Sequence, residues 1–307
     1  MTNAKEKKII NKKNGDLIYY YSLITLPVLQ FIVMYVFVNI NAFFLSFQKY
    51  DFINDRYFFL TDIFANYKKF FNEFALSRLL LDSLRNGAVA YLADVCIAVP
   101  LVLLFSFFIY KKIPAYNFFK IALFVPGVIS TTVLVLIFTH TVENAVPAVL
   151  NLIGVKTGGL LSNPKTTFPT LIAFSIWSSA GGGVILYLSA MNGIPNEQVD
   201  AMRIDGAGYW KEFFHLTFPS IYKTFSILIW MGIPGIITNQ LNLYTFFGNA
   251  AEARLYTFGY WFFKKTASAN MSDYPYISAI GILQSLVVIP LLYSLKHLLE
   301  KIGPSSD

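Results

Sequence analysis

The sequence predicts an all-α, polytopic integral membrane protein with six membrane-spanning helices. Three observations carry this. Apolar residues make up 56% of the 307 and charged residues only 13%, about half the charged share of an ordinary soluble domain. The apolar residues gather in six runs, each with the ~20 residues a helix needs to cross a bilayer. None of the runs alternates as a barrel strand does, and in lipid a helix is the other way to bond every backbone group within its own segment.

The first run, residues 17–47, follows a basic tail, residues 1–16, with Lys5, Lys7, Lys8, Lys12 and Lys13. It is far longer than the apolar part of a signal peptide and no small-residue cleavage site ends it, so it reads as a retained span with the tail in the cytoplasm. The second and third runs, 86–110 and 118–139, enclose a short connection flanked by Lys111, Lys112 and Lys120. The fourth and fifth, 170–191 and 221–243, enclose one marked by Arg203, Lys211 and Lys223. The sixth, 277–299, ends at Lys296 and Lys301, before a short tail, 301–307. With the N-terminus inside, all these cations fall on the cytoplasmic side. The other connections, 48–85, 140–169 and 244–276, are longer and carry both signs, Lys68 and Lys69 included. The net charge of +7 therefore belongs to cytoplasmic loops, and no nucleic-acid partner is expected. The 17% aromatic content suits interfacial belts and bundle packing. Residues 17–300 read as one membrane domain without internal repeats.

Several chemistries lack their residues. The single Cys96 excludes an intramolecular disulfide and reads as inert packing. His140, His215 and His297 have no metal-ligand spacing. In the string from Gly159 to Thr166, Pro164 stands where a phosphate-binding loop needs its second glycine. No nucleophile elbow supports serine chemistry.

Polar residues at membrane depth suggest function. Asp94 is the clearest, about two turns into the second run, where it can also bond a neighbouring helix near the outer interface. Asn239, Gln240, Asn242 and Gln284 can exchange hydrogen bonds with sugar hydroxyls. Trp177, Tyr187, Trp230 and Tyr244 can offer ring faces to a pyranose. For each of them, helix packing is the plainer role.

Residues 197–219 are the most informative stretch, polar and charged between two apolar runs. Pro195 or Asn196 can start a short helix with Asp200 in its early turns, where a carboxylate is favourable. Asp205-Gly206 supports a sharp turn. Tyr209, Trp210, Phe213, Phe214 and Leu216 give a second short helix an apolar face. Pro219 can restart the chain into the fifth run. On spacing alone, an amphipathic loop lying on the membrane has the same features.

The whole pattern, however, resembles the coupling loop of binding-protein-dependent ABC importers. That family shows Glu-Ala-Ala, three residues, Gly, nine residues, then Ile-x-Leu-Pro. Here Asp200-Ala201-Met202 stands for the triplet, followed by Gly206 and by Leu216-Thr217-Phe218-Pro219; residues 204–207, Ile-Asp-Gly-Ala, match the sugar-importer branch. Leu26-Pro27, Leu45-Ser46-Phe47, Tyr50-Asp51-Phe52, Asn66-Tyr67-Lys68, Val125-Pro126, Trp177 and Ile194-Pro195 resemble further family positions, those of the maltose-type first permease, the F-type.

The resemblance implies a type I permease fold in the bacterial cytoplasmic (inner) membrane, half of a translocation pathway for a carbohydrate working by alternating access. It implies a second, G-type permease, two ATPase subunits or domains and an extracellular solute-binding protein as partners, with membrane lipid around them. No cofactor belongs to this chain; ATP and Mg belong to the ATPases, so the chain itself is no enzyme. Asp200, Ala201, Asp205, Gly206, Tyr209, Trp210, Phe213 and Pro219 would couple to the ATPase, the aromatic side docking into it and Asp200 meeting a cation. Aligned on Trp177 and Ile194-Pro195, the family's sugar contacts fall on Ser175, Ser179 and Gly182. The run 181–183 of three glycines would open space or permit local unwinding. With Asn239, Asn242, Tyr244 and Gln284 these are the candidate pathway residues. An ion-driven transporter, with Asp94 as its carboxylate, and a membrane-embedded enzyme are the rival classes. Neither accounts for residues 197–219.

Overall fold

The computed structural model describes residues 2–304; Met1 and residues 305–307, the ends of the two expected tails, lie outside the described residues, as do the side chains of 2–15 and of Ile18. Six helices are long and apolar enough to cross a membrane: Tyr19–Leu45, Arg78–Tyr110, Thr131–Leu152, Thr167–Asn192, Tyr209–Thr238 and Tyr274–Ile302. We number these spans one to six. The helix of the first span runs back through the tail to Thr2.

Three spans, the second, third and fifth, differ in their bounds by several residues from the expected runs. The second span starts at Arg78 rather than at residue 86. Ser77 caps it by accepting from Leu80 N–H, and Arg78, Asp82 and Arg85 had masked its first two turns. The third run is broken: Tyr116–Val128 is a separate helix containing Pro126, and Ile129 and Ser130 are extended before the span begins at Thr131. That span then continues past His140 to Leu152, because its polar residues are satisfied. Thr141 Oγ1 donates to Ile137 O, and the Glu143 carboxylate accepts from Leu161 N–H, Ser162 N–H and the Ser162 hydroxyl. The fifth span starts at Tyr209, so the second short helix of the 197–219 stretch is its first turn.

Pro219 therefore does not restart the chain; the helix runs through it. Proline lacks an N–H and its ring collides with the carbonyl four residues back. A wide turn just before the proline moves that carbonyl aside, and the same device recurs. Asp94–Ala98 precedes Pro100, Thr141–Ala145 precedes Pro147 and Phe213–Thr217 precedes Pro219. Each closes with a five-residue backbone bond: Val99 N–H to Asp94 O, Val146 N–H to Thr141 O, Phe218 N–H to Phe213 O. Such π-turns keep a helix continuous where an α-turn could not.

The chain divides into two compact units, Met1–Asn72 with Ala269–Leu283 and Glu73–Ser268 with Gln284–Asp307. In the first unit, the first span leads into an antiparallel hairpin of strands β1, Gln48–Asp51, and β2, Arg56–Phe59. The Asp51 carboxylate closes its turn by accepting from the Asn54 amide and Ile53 N–H, and those bonds hold its carboxyl below the usual carboxylate range. Asn66 Nδ2 donates to Ser46 O and Gln48 O, and the Ser46 and Tyr67 hydroxyls share a hydrogen bond. The Ser-Phe, Tyr-Asp and Asn-Tyr pairs thus build one small structure after the first span.

Among the described residues, the second unit has two larger apolar cores and a smaller one of Leu134, Val135 and Phe174. Of the larger two, one joins Val102, Phe107, Val184, Tyr187, Phe213 and Ile221; the other joins Ala90, Leu171, Leu241, Leu255 and Tyr260. Spans two and four run through both larger cores. The fourth is an unbroken helix, so its three glycines do not unwind it. Two of them let helices approach. A Cβ on Gly181 would lie 2.7 Å from Leu123 O, and one on Gly183 3.0 Å from a Val102 methyl, whereas Gly182 has nothing within 4 Å. Gly181→Ala is therefore expected to destabilise the protein by about 1–3 kcal/mol through overpacking, and Gly182→Ala to be near neutral. Thermal unfolding of the two variants in detergent reads the difference.

Candidate functional site

A cavity of about 390 Å³ opens among spans two, four and five. Tyr91 and Asp94 line it from the second span, Ser175 and Ser179 from the fourth, and Thr238 and Asn239 from the end of the fifth. The Tyr91 hydroxyl donates to Ile229 O, tying the second span to the fifth beside the cavity. A second cavity of about 330 Å³ shares Ser175 and Ser179 and is lined further by Thr131, Ser178 and Asn242. The chain leaves helical geometry between the two asparagines. Asn239 is extended and its Oδ1 accepts from Leu241 N–H; Asn242 is left-handed at φ 54. That bond satisfies one of the backbone groups that a broken helix leaves without a helical partner.

The structure thus brings Ser175, Ser179, Asn239 and Asn242 together, and it adds Asp94. Because the second span begins at Arg78, Asp94 sits at its midpoint, sixteen residues from each end. It faces the cavity rather than a polar partner on a neighbouring helix. Other candidates fall elsewhere. Trp177 packs on Phe138 and Phe174, and Tyr244 packs on Phe263. Gln284 lines neither cavity; its Nε2 is buried without a hydrogen-bond partner. Gly182 also lies outside both, exposed on the fourth helix. Cys96, expected inside, is exposed.

The 197–219 stretch forms two helices, Asn196–Ile204 and Tyr209–Glu212, joined at Gly206, whose φ of +70° favours glycine. Gly206 N–H bonds Arg203 O and Ala207 N–H bonds Met202 O, closing the first helix. Asp200, Ala201, Asp205, Tyr209 and Trp210 are exposed, and so is Ile204 at 86%. Asp200 pairs with Arg203 at 3.4 Å. Phe213 does not share this surface. It is 4% exposed and packs edge-on to Phe107 at 4.9 Å between ring centres. One turn of helix sends its ring inward while Trp210 and Phe214, stacked on one another, stay outside.

The most buried ion pair among the described residues carries no signal in the sequence. Lys111 Nζ, at the end of the second span, pairs with the Glu212 carboxylate, both side chains 5% exposed. The ammonium also lies over the Tyr110 and Phe107 rings, at 5.2 and 5.9 Å from their centres. This joins the 111–115 and 197–219 connections at one end of the unit. The Tyr222 hydroxyl brings the end of the sixth span there too, donating to Leu299 O. The opposite end is closed by Asn86 Nδ2, which donates to Arg254 O and Tyr256 O, and by Arg254, paired with Glu252 and donating to Pro164 O.

The unit thus holds a polar-lined cavity among spans two, four and five and an exposed elbow at one end. Residues 75–302 match the model of the binding-protein-dependent transport system inner membrane component family. The chain belongs to this family. The permease is accordingly a multi-pass membrane protein. It is similar to Protein LplB of Bacillus subtilis (strain 168), 26% identical over 242 residues, covering 76% of this chain and 74% of the relative. The arabinooligosaccharides transport system permease protein AraP of Halalkalibacterium halodurans is 23% identical over 295 residues, 92% of this chain and 88% of its own. Among solved structures, the permease matches a chain in the crystal structure of a bacterial ABC transporter involved in the import of the acidic polysaccharide alginate. The TM-score is 0.75 over 97% of this chain and 100% of that one, at 17% identity, and this establishes the fold.

Proposed function

We propose that this chain is one permease half of an ABC importer for a carbohydrate, fed by an extracellular solute-binding protein and driven by ATP hydrolysed on separate subunits. The observation that carries the carbohydrate reading is the similarity, over nine-tenths of the chain, to a permease named for arabinooligosaccharides. The cavity suits it, with serine, threonine and asparagine side chains that both donate to and accept from hydroxyls. The elbow suits coupling. Its exposed apolar and acidic surface, Ile204, Trp210, Phe214 and Asp200, is what a soluble ATPase subunit would grip. In this reading the N-terminus and residues 196–219 face the cytoplasm, residues 17–300 form the membrane domain, and a second, G-type permease completes the pathway. A solved neighbour was crystallised with an alginate pentasaccharide-bound periplasmic protein, which supports a binding protein on the outer side here.

ATP binding would close the ATPase pair, carry the elbow with it and switch the cavity from inward- to outward-facing. The shift is no larger than the difference in ATP affinity for the two states. Co-expression tests the assembly. The chain should co-purify with a second permease and two ATPase subunits, and hydrolysis should rise when loaded binding protein is added. A transport-competent preparation of this chain alone contradicts the reading.

A further inference from the structure

We propose that Asp94 sets the charge selectivity of the mid-span cavity, so that it takes uncharged or amino carbohydrates and rejects acidic ones. The proposal rests on the reading of the chain as a carbohydrate permease and names the substrate class within it. Asp94 lines the cavity at the midpoint of the second span. Among the described residues its carboxylate has no ion pair and no side-chain hydrogen bond. None of the residues lining the cavity is Lys, Arg or His. The remaining polar side chains there, Tyr91, Ser175, Ser179, Thr238 and Asn239, are neutral.

An ionisable side chain at membrane depth is costly, and those found there generally face a cavity or a partner. Here the cavity is what Asp94 faces. A carboxylate accepts hydrogen bonds and donates none when ionised. Sugar hydroxyls can supply those donors, and a protonated amine can supply a charge-assisted one. With Asp94 ionised, a uronate would instead bring a second negative charge into a site whose lining holds no cation to offset it. At an effective dielectric of ~20 and about 10 Å, such repulsion corresponds to roughly tenfold in affinity, and to more at closer approach. The shared fold therefore does not carry over the acidic polysaccharide of the alginate importer.

The test uses the purified complete complex and three labelled trisaccharides of equal length, one neutral, one bearing an amine and one bearing a uronate, in equilibrium binding. Wild type should bind the uronate about tenfold or more weakly than the neutral sugar. Asp94→Asn should erase that difference and the advantage of the amine, and Asp94→Glu should keep both. Wild type that binds the uronate as well as the neutral sugar overturns the proposal before any variant is made. An unchanged ratio in a folded Asp94→Asn complex overturns it as well. Binding of none of the three by wild type overturns the carbohydrate reading together with this one, which separates the two failures.

Discussion

Replacing Glu212 by alanine is expected to destabilise the assembled permease by about 3–5 kcal/mol, the cost of leaving a buried charge without its partner. Lys111 would be that charge. Its ammonium is almost wholly out of solvent and has the Glu212 carboxylate as its ion-pair partner; the Phe107 and Tyr110 rings supply only part of the lost solvation. The pair also fastens the first turn of the fifth span, and so the elbow, to the end of the second span. The double replacement Lys111→Met with Glu212→Leu should recover most of the loss, since apolar residues of similar volume often replace a buried pair without penalty. Thermal unfolding of the single and double variants checks this. A Glu212→Ala complex as stable as wild type would show that the pair is solvated in the assembly.

Gly206→Val is expected to uncouple hydrolysis from uptake. A β-branched residue at φ +70° costs about 1–3 kcal/mol, and the chain can relieve it only by opening the turn between the two short helices. Because space around Gly206 is free, with nothing within 4 Å of a Cβ, the effect is one of backbone geometry. Asp200→Lys should act differently. It replaces the Asp200–Arg203 pair by repulsion on an exposed surface, so the fold should hold while association with the ATPase weakens. Co-purification and ATP hydrolysis separate the two, and wild-type values for both variants would make residues 197–219 an ordinary surface loop.

The membrane fold was legible because lipid imposes a one-sided rule: long apolar runs become helices. The runs were misjudged where polar residues interrupt them for local reasons. Glu143 sits inside the third span because its carboxylate caps the loop that follows. The first two turns of the second span hide behind Arg78, Asp82 and Arg85. Gly206 and the turn at Asp205 could be read from glycine's freedom at positive φ. The break at Ile129 and Ser130 was signalled by Pro126-Gly127 but lay inside an apolar run. The inward face of Phe213 and the Lys111–Glu212 pair could not be read, because both depend on which turn of the fifth span meets the second. A lysine beside a short connection and a glutamate six residues after Gly206 carry no local signal of burial. The candidate pathway residues divided on the same ground. Ser175 and Ser179, four apart on one helix face, reach the cavity together, whereas Trp177 between them points into a cluster of rings.

On the proposed function, this permease moves a carbohydrate through a cavity whose access is set by the elbow. ATP-driven uptake of a labelled oligosaccharide into proteoliposomes holding the complete complex, compared between wild type and Gly206→Val, tests it most directly. Uptake in the wild type is expected to require ATP and binding protein, and sugar moved per ATP hydrolysed to collapse in the variant. Equal transport per ATP in both, or no uptake of any oligosaccharide by the wild type, would contradict it.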